Sequence, residues 1–399
     1  MRHLSYALTV ALALTPFAWC ATSQTPATSS APEPAATVIQ RAETLRAAGQ
    51  LETAATLLKG YLADHQEDPD ALTALAVVRI QQQQPEDAGP LLLKAIASSP
   101  NSVRANDTLG QLLSGERSFA EAMGRFETVL SVSKDDGPAA LGERYAATQL
   151  ALQARRQDNQ NAALATLEHA LEKIPNDPEL LLDTGIQYEQ MKRWRDAETR
   201  LQEVLAIQPG NLTALYALGS VEMYEDKLPQ GEAHLRKYLK ARPDDATAHF
   251  GLGKLLYREL RTQDAREEFE TSIRLQPVQT ESYYELGQIA LDQQDGTDAK
   301  SYFELVLSRN PKHGGALTGM GILSYRAKHY ADAEGYLEKA VNAAPDYQPA
   351  HYYYGLTLAK EKKAELSDKE LKMAIQLGRD QEMAARSAST FSSPDHSKP

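Results

Sequence analysis

The sequence predicts an all-α chain, an array of about ten helix-turn-helix units, and three observations predict it. The pattern repeats every 34 residues from residue 35 to about residue 378. Each period carries a small residue at positions 8 and 20 and Leu or Phe at position 24. Pro recurs at position 32 in seven of the periods. Two small positions twelve apart fall on two successive helices, and small side chains there let the helices of one hairpin cross closely. Positions 20, 24 and 27 form an i, i+4, i+7 apolar stripe facing the next unit, and a Pro after the second helix ends it.

Along the chain, residues 1–23 read as an export signal: Arg2, an apolar run over residues 4–14, Pro16, then small residues for cleavage after Cys20 or Ser23. The run is too short to span a bilayer comfortably. Cys20 also opens a lipoprotein reading, although Trp19 precedes it where a lipobox carries Gly, Ala or Ser. Residues 24–34, QTPATSSAPEP, lack apolar periodicity and read as a flexible spacer.

The units follow as 35–68, 69–102, 103–136, 144–177, 178–211, 212–245, 246–279, 280–313, 314–347 and 348–378. Position 8 is Ala42, Ala76, Gly110, Ala151, Gly185, Gly219, Gly253, Gly287, Gly321 and Gly355; position 20 is small in every unit as well. Residues 137–143 are an insert expected to lengthen the first helix of the fourth unit by about two turns. Gln66 and Lys134 replace the position-32 Pro, so the turns after units one and three are expected to be less firmly defined. The last unit departs from the pattern with Ser367 and the charged residues 360–363, as a solvent-facing cap would. Residues 379–399 lose periodicity and read as a frayed helix and disordered tail.

This pattern resembles the tetratricopeptide repeat (TPR) family over residues 35–378. The resemblance implies a TPR solenoid, a right-handed superhelix with first helices lining an inner groove. A single hairpin cannot bury its apolar face, so stacked units share one elongated core.

Composition narrows the function. A charge of −12 without a Lys/Arg block argues against nucleic acid as a partner. One Cys excludes a disulfide framework and multi-Cys metal sites. Phosphate-binding loops, nucleophile elbows and HExxH pairs are missing from the sequence, so no catalytic residue, cofactor or metal site is expected. His249 and His351 fall at position 4, facing the packing, and read as structural. Of two N-x-[ST] triplets, Asn106 is at a packed position and Asn211 lies in a turn, so only Asn211 offers a glycan site in a host that glycosylates, and chance occurrence is the default reading of both.

The resemblance implies that positions 2, 5, 6, 9, 12 and 13 line the groove. In units two to five this gives a polar set that includes Thr73, Asp107, Gln111, Thr148, Arg155, Arg156, Asp183, Glu189 and Gln190. In units six to ten the set is aromatic and basic: Tyr216, Tyr224, Phe250, Lys254, Tyr257, Arg258, Tyr284, Tyr325, Arg326, Tyr352, Tyr353 and Lys360, with Glu285 and Asp292 among them. Fourteen of eighteen Tyr lie from Tyr216 onward. Tyr gives a rigid face with a hydroxyl and Arg a forked donor, a mixture suited to a peptide; Tyr at position 5 can also serve packing alone. The Lys and Asn set by which chaperone-binding TPR domains grip a terminal carboxylate is not reproduced.

The expected protein is an exported, non-enzymatic scaffold, periplasmic or extracytoplasmic in a bacterium, binding a protein or peptide. The alternatives are an envelope-assembly or export-machine component, with a lipid on Cys20 or a partner as its link to the membrane, and an adaptor that recruits an enzyme. The spacer and tail are too short to hold a catalytic domain. Oligomeric state is left open.

Overall fold

The computed structural model describes residues 34–390, with side chains to residue 383; the export signal with Cys20, nearly all of the spacer, and residues 391–399 lie outside the described residues. The described residues form twenty helices and no strand. They pair as α1 (Ala35–Ala47) with α2 (Leu51–Asp64), α3 (Pro69–Gln81) with α4 (Pro85–Ser98), α5 (Val103–Gly115) with α6 (Phe119–Val132), and α7 (Gly137–Arg156) with α8 (Gln160–Lys173). Then come α9 (Pro178–Gln190) with α10 (Trp194–Ile207), α11 (Leu212–Tyr224) with α12 (Leu228–Ala241), and α13 (Ala246–Arg258) with α14 (Thr262–Leu275). The last pairs are α15 (Glu281–Asp292) with α16 (Gly296–Arg309), α17 (Gly314–Arg326) with α18 (Tyr330–Ala343), and α19 (Gln348–Lys360) with α20 (Ala364–Thr390).

The helices divide into two compact bodies between Leu109 and Gly110, within α5. In the N-terminal body, α1, α2 and α3 close around Ala42, Ala54, Leu58, Ala71, Leu75 and Val78. In the C-terminal body the buried rings Phe126, Phe269 and Phe303 and the leucines Leu167, Leu201 and Leu235 occupy position 24 and run through the hairpins. Position 8 must be small because that ring or isobutyl group lies on it: a Cβ on Gly253 would come 2.7 Å from Phe269, and one on Gly287 2.6 Å from Phe303.

Local chemistry sets the helix ends. Asp68, Asp136, Asp177, Asn211 and Asp245 occupy position 34, and each side chain accepts from backbone N–H groups of the following first turn. His313 does the same through Nδ1, 3.0 Å from the Ala316 nitrogen. At the end of repeat seven the position belongs to Gln279, whose amide donates to Ser282 Oγ at 2.7 Å instead, and α15 of repeat eight begins a residue late at Glu281. Between the two helices of every repeat, position 15 is left-handed. Gly49 has φ 77°, and nine non-glycine residues, Leu260 (62°) among them, lie between 57° and 64°. Around Leu260 the bonds Leu260 N–H to Tyr257 O and Arg261 N–H to Leu256 O, each 3.0 Å, make a Schellman ending.

Charges tie neighbouring repeats. Lys227, Arg261 and Lys363, all at position 16, each join an acid at position 14 of their own repeat to one at position 21 of the repeat before: Glu225 and Glu198, Glu259 and Glu232, Glu361 and Glu334. The position-4 histidines act alike. His249 reaches Glu268 at 2.6 Å and the Pro243 carbonyl at 2.9 Å, and His351 reaches Glu370 and the Pro345 carbonyl at the same distances.

Two expectations need correcting and one narrowing. The turns at Gln66 and Lys134 are as well defined as the rest: Asp68 N–H to His65 O and Asp136 N–H to Ser133 O repeat the Asp177 N–H to Ile174 O bond of a Pro-containing turn. The Asp cap and the left end of the turn hold the geometry without the ring. Of residues 379–399, read as a frayed helix and a tail, the helix takes residues 379–390, because α20 runs to Thr390. Its Arg, Gln, Glu, Met and Ala are good helix formers, and the next breaker is Pro394. Thr73, placed on the groove by the register, is buried, its hydroxyl donating to the Pro69 carbonyl at 2.6 Å. The insert is helical, making α7 20 residues long against 13 for α9, α11, α13 and α17.

Candidate functional site

In the C-terminal body the first helices of successive repeats touch one another, α7 to α9, α9 to α11, α11 to α13, α15 to α17 and α17 to α19. Each second helix from α8 to α18 touches chiefly the helices before and after it in the chain. One wall is therefore built from first helices, and the chosen residues stand on it with different freedom.

Phe250 sits half-buried on α13, its ring centroid 5.9 Å from Phe269 and the Lys254 ammonium 5.7 Å above it. Beside it, apart from its chain neighbours and the backbone of its own helix, no atom lies within 4 Å of the point where a Cβ on Gly251 would stand, so the wall is open there. On α11, Tyr216 is half-buried against Tyr238, 5.4 Å between centroids. Burial, then Asp245 and Glu189, push its hydroxyl above the usual range. Tyr224, 52% exposed, stacks on Trp194 at 4.4 Å with planes 7° apart. Trp194 was absent from the predicted lining because position 17 begins a second helix; the signal that could have found it is the aromatic at position 13 of the next repeat.

Other members are engaged within the fold. Arg258 donates to the Met223 carbonyl and, at 3.2 Å, to Asp226, while Arg326 donates to the Leu291 carbonyl at 2.8 Å. Each guanidinium thus adds a second donor to a carbonyl at the C-terminal end of the preceding first helix, where the helix dipole favours a cation. Tyr257 donates its hydroxyl to Asp292, and burial followed by that bond raises it. Tyr284 is a packing residue. A Cβ on Gly315 would meet its ring at 2.6 Å, Phe303 lies 6.3 Å away and His313 4.8 Å, and its hydroxyl is 3.4 Å from that of Tyr347. Burial raises it as well.

Tyr325, Tyr353 and Tyr352 form a chain of edge-on contacts, 6.1 Å and 5.4 Å between centroids, apart from the Phe250 opening in the register; Tyr352 is 43% exposed. The wall also holds carboxyls. Burial raises Asp183 against the pull of Arg155 and a bond from Thr148. Burial raises Glu189, to which the Ser220 hydroxyl donates. Burial raises Glu285 against the charge of Lys254. Among the described residues no group of three or more His, Cys, Asp or Glu is placed to hold a metal ion, and no helix is long and apolar enough to cross a membrane.

Comparison with known proteins identifies tetratricopeptide repeats in the chain. One tetratricopeptide repeat family model matches residues 216–279 and 255–313, and a second matches residues 45–112 and 290–385. No curated protein matches the chain significantly. Among solved structures, the chain is similar to MamA from Desulfovibrio magneticus RS-1, residues 41 to the end, with 22% identity over 42% of this chain and 94% of that one, TM-score 0.40. It is similar to Pseudomonas aeruginosa PilF, with 21% identity over 52% and 97%, TM-score 0.44. It is also similar to yeast Tom70, with 15% identity over 89% and 94%, TM-score 0.42.

Proposed function

The chain belongs to the tetratricopeptide repeat family, and from that premise we propose that it is a non-enzymatic scaffold, exported to a bacterial cell envelope, that holds a protein or peptide along its first-helix wall. TPR proteins generally mediate protein–protein interactions. The observation that carries the reading here is the opening at Gly251 beside the half-buried Phe250 ring, with Tyr216 on one side and Lys254 above. An aromatic face with adjacent polar groups and free space is what anchors a peptide side chain.

Capture of partners from an envelope extract by the purified chain tests it. Phe250→Ala with Lys254→Ala should abolish capture while the helical circular dichroism is kept; unchanged capture would sink the assignment. Export is tested by fractionating cells, and palmitate labelling that depends on Cys20 would favour the reading of a lipid-anchored envelope-assembly component.

A further inference from the structure

The predicted wall was aromatic and basic, but two of its four cations, Arg258 and Arg326, are engaged within the fold, Arg258 paired with Asp226. Arg258 and Arg326 are bound to the backbone of the preceding repeats. Lys254 is the cation left at the Phe250 opening, and its charge is set against Glu285. The carboxyls stay. In repeat five Glu189 receives a hydroxyl from Ser220 and has no ion-pair partner among the described residues, and Asp183 lies near Arg155 and Thr148. Glu285 stands in repeat eight, so the aromatic opening in repeats six and seven has carboxylates on both sides.

We propose that the segment held on this wall is cationic: a peptide whose apolar residues lie on Phe250 and Tyr216 and whose Lys or Arg side chains meet Glu189, Glu285 and Asp183. This rests on the groove reading above and adds the chemistry of the partner. All three carboxyls are half-buried and held above their usual range by burial, so their charged forms lack solvation that an incoming ammonium or guanidinium restores.

The test is fluorescence anisotropy of the purified chain with a labelled Lys/Leu/Ala peptide and its Glu-for-Lys and Gln-for-Lys counterparts, at low and high salt. The Lys peptide should bind about tenfold or more tighter than the Glu peptide, a preference that weakens with salt. Glu189→Gln with Glu285→Gln should remove that preference, and Phe250→Ala should weaken every peptide. Equal binding of the three peptides, all weakened by Phe250→Ala, overturns the charge inference and leaves the groove reading standing. Lys-peptide binding that both sets of variants leave unchanged places the peptide on the general acidic surface and overturns the proposal. Absence of binding by any peptide overturns both readings. The peptide comparison uses the unaltered chain, so it decides even where a variant fails to fold.

Discussion

The backbone of Gly142 lies against the ring of Phe126, which is thereby held between Gly110 and Gly142. Gly287 and Gly319, at positions 8 and 6 of successive repeats, hold Phe303 in the same way. Residue 142 is seven before position 6 of its own repeat, so the insert gives α7 two registers. Its N-terminal half meets α6 as though the repeat began at residue 137, and its C-terminal half meets α8 as though it began at 144, where buried Ala151 holds position 8. Seven residues are nearly two whole turns, so both halves present the same face.

In the earlier register Glu143 holds position 7, where Leu75, Leu109, Leu218, Leu252 and Leu286 are buried. It too is fully buried, and neither carboxyl oxygen has a hydrogen-bond partner. Burial and the nearby Glu127 raise its pKa to about 8, with Lys173 pulling the other way. The folded chain keeps that proton up to about pH 8, whereas a free carboxyl loses it near 4.5. Stability therefore falls as pH rises between those values, by on the order of 2–4 kcal/mol. Glu143→Leu should raise the urea midpoint and flatten its dependence between mildly acidic and mildly alkaline buffer; a pH slope unchanged in the variant would refute the account.

Gly319→Ala should destabilise by about 1–3 kcal/mol, because the new methyl meets the fully buried Phe303 ring, which has nowhere to go. Gly251→Ala, added into open space in the interior of α13, is the control and should raise the thermal midpoint, by the roughly 0.5–1 kcal/mol that Ala gains over Gly in a helix.

Leu260 combines φ 62° with 86% exposure, so it carries backbone strain without burial in return. Leu260→Gly should gain about 0.5–1 kcal/mol, the left-handed penalty less the entropy that glycine adds to the unfolded chain. Chemical denaturation checks it.

Arg261 links Glu232, Glu259 and Asp264. Arg261→Ala should lower the thermal midpoint at low salt, and the loss should shrink at high salt, since exposed charges are screened. Equal losses at both salts would mean that the side chain acts by packing.

Tyr284 and Phe250 share position 5 but should separate by assay. Tyr284→Ala leaves a void beside Gly315 and Phe303 and should cost about 3–5 kcal/mol of stability. Phe250→Ala should cost less stability and more peptide binding, measured by denaturation and anisotropy on the same preparations.

The sequence alone was enough for the helical repeats, since a 34-residue period with small residues at positions 8 and 20 and bulk at position 24 has one economical packing. It named the residues along the first-helix wall, because register assigns a position to every side chain. It could not say which of them face a ligand and which are bound to the fold. Arg258 and Lys254 differ by one turn of α13; whether a cation reaches a carbonyl of the neighbouring repeat depends on how two helices stack. Nor does the sequence mark the left-handed residues at position 15, since only Gly49 among them is glycine; the Schellman bonds of the finished hairpin impose that conformation. Glu143 shows the same division. The insert is visible as seven residues out of period, but that it places a carboxyl in a leucine's position follows only from where Gly142 meets Phe126. Periodicity fixes what lies on one helix face, while burial and charge balance belong to contacts between faces.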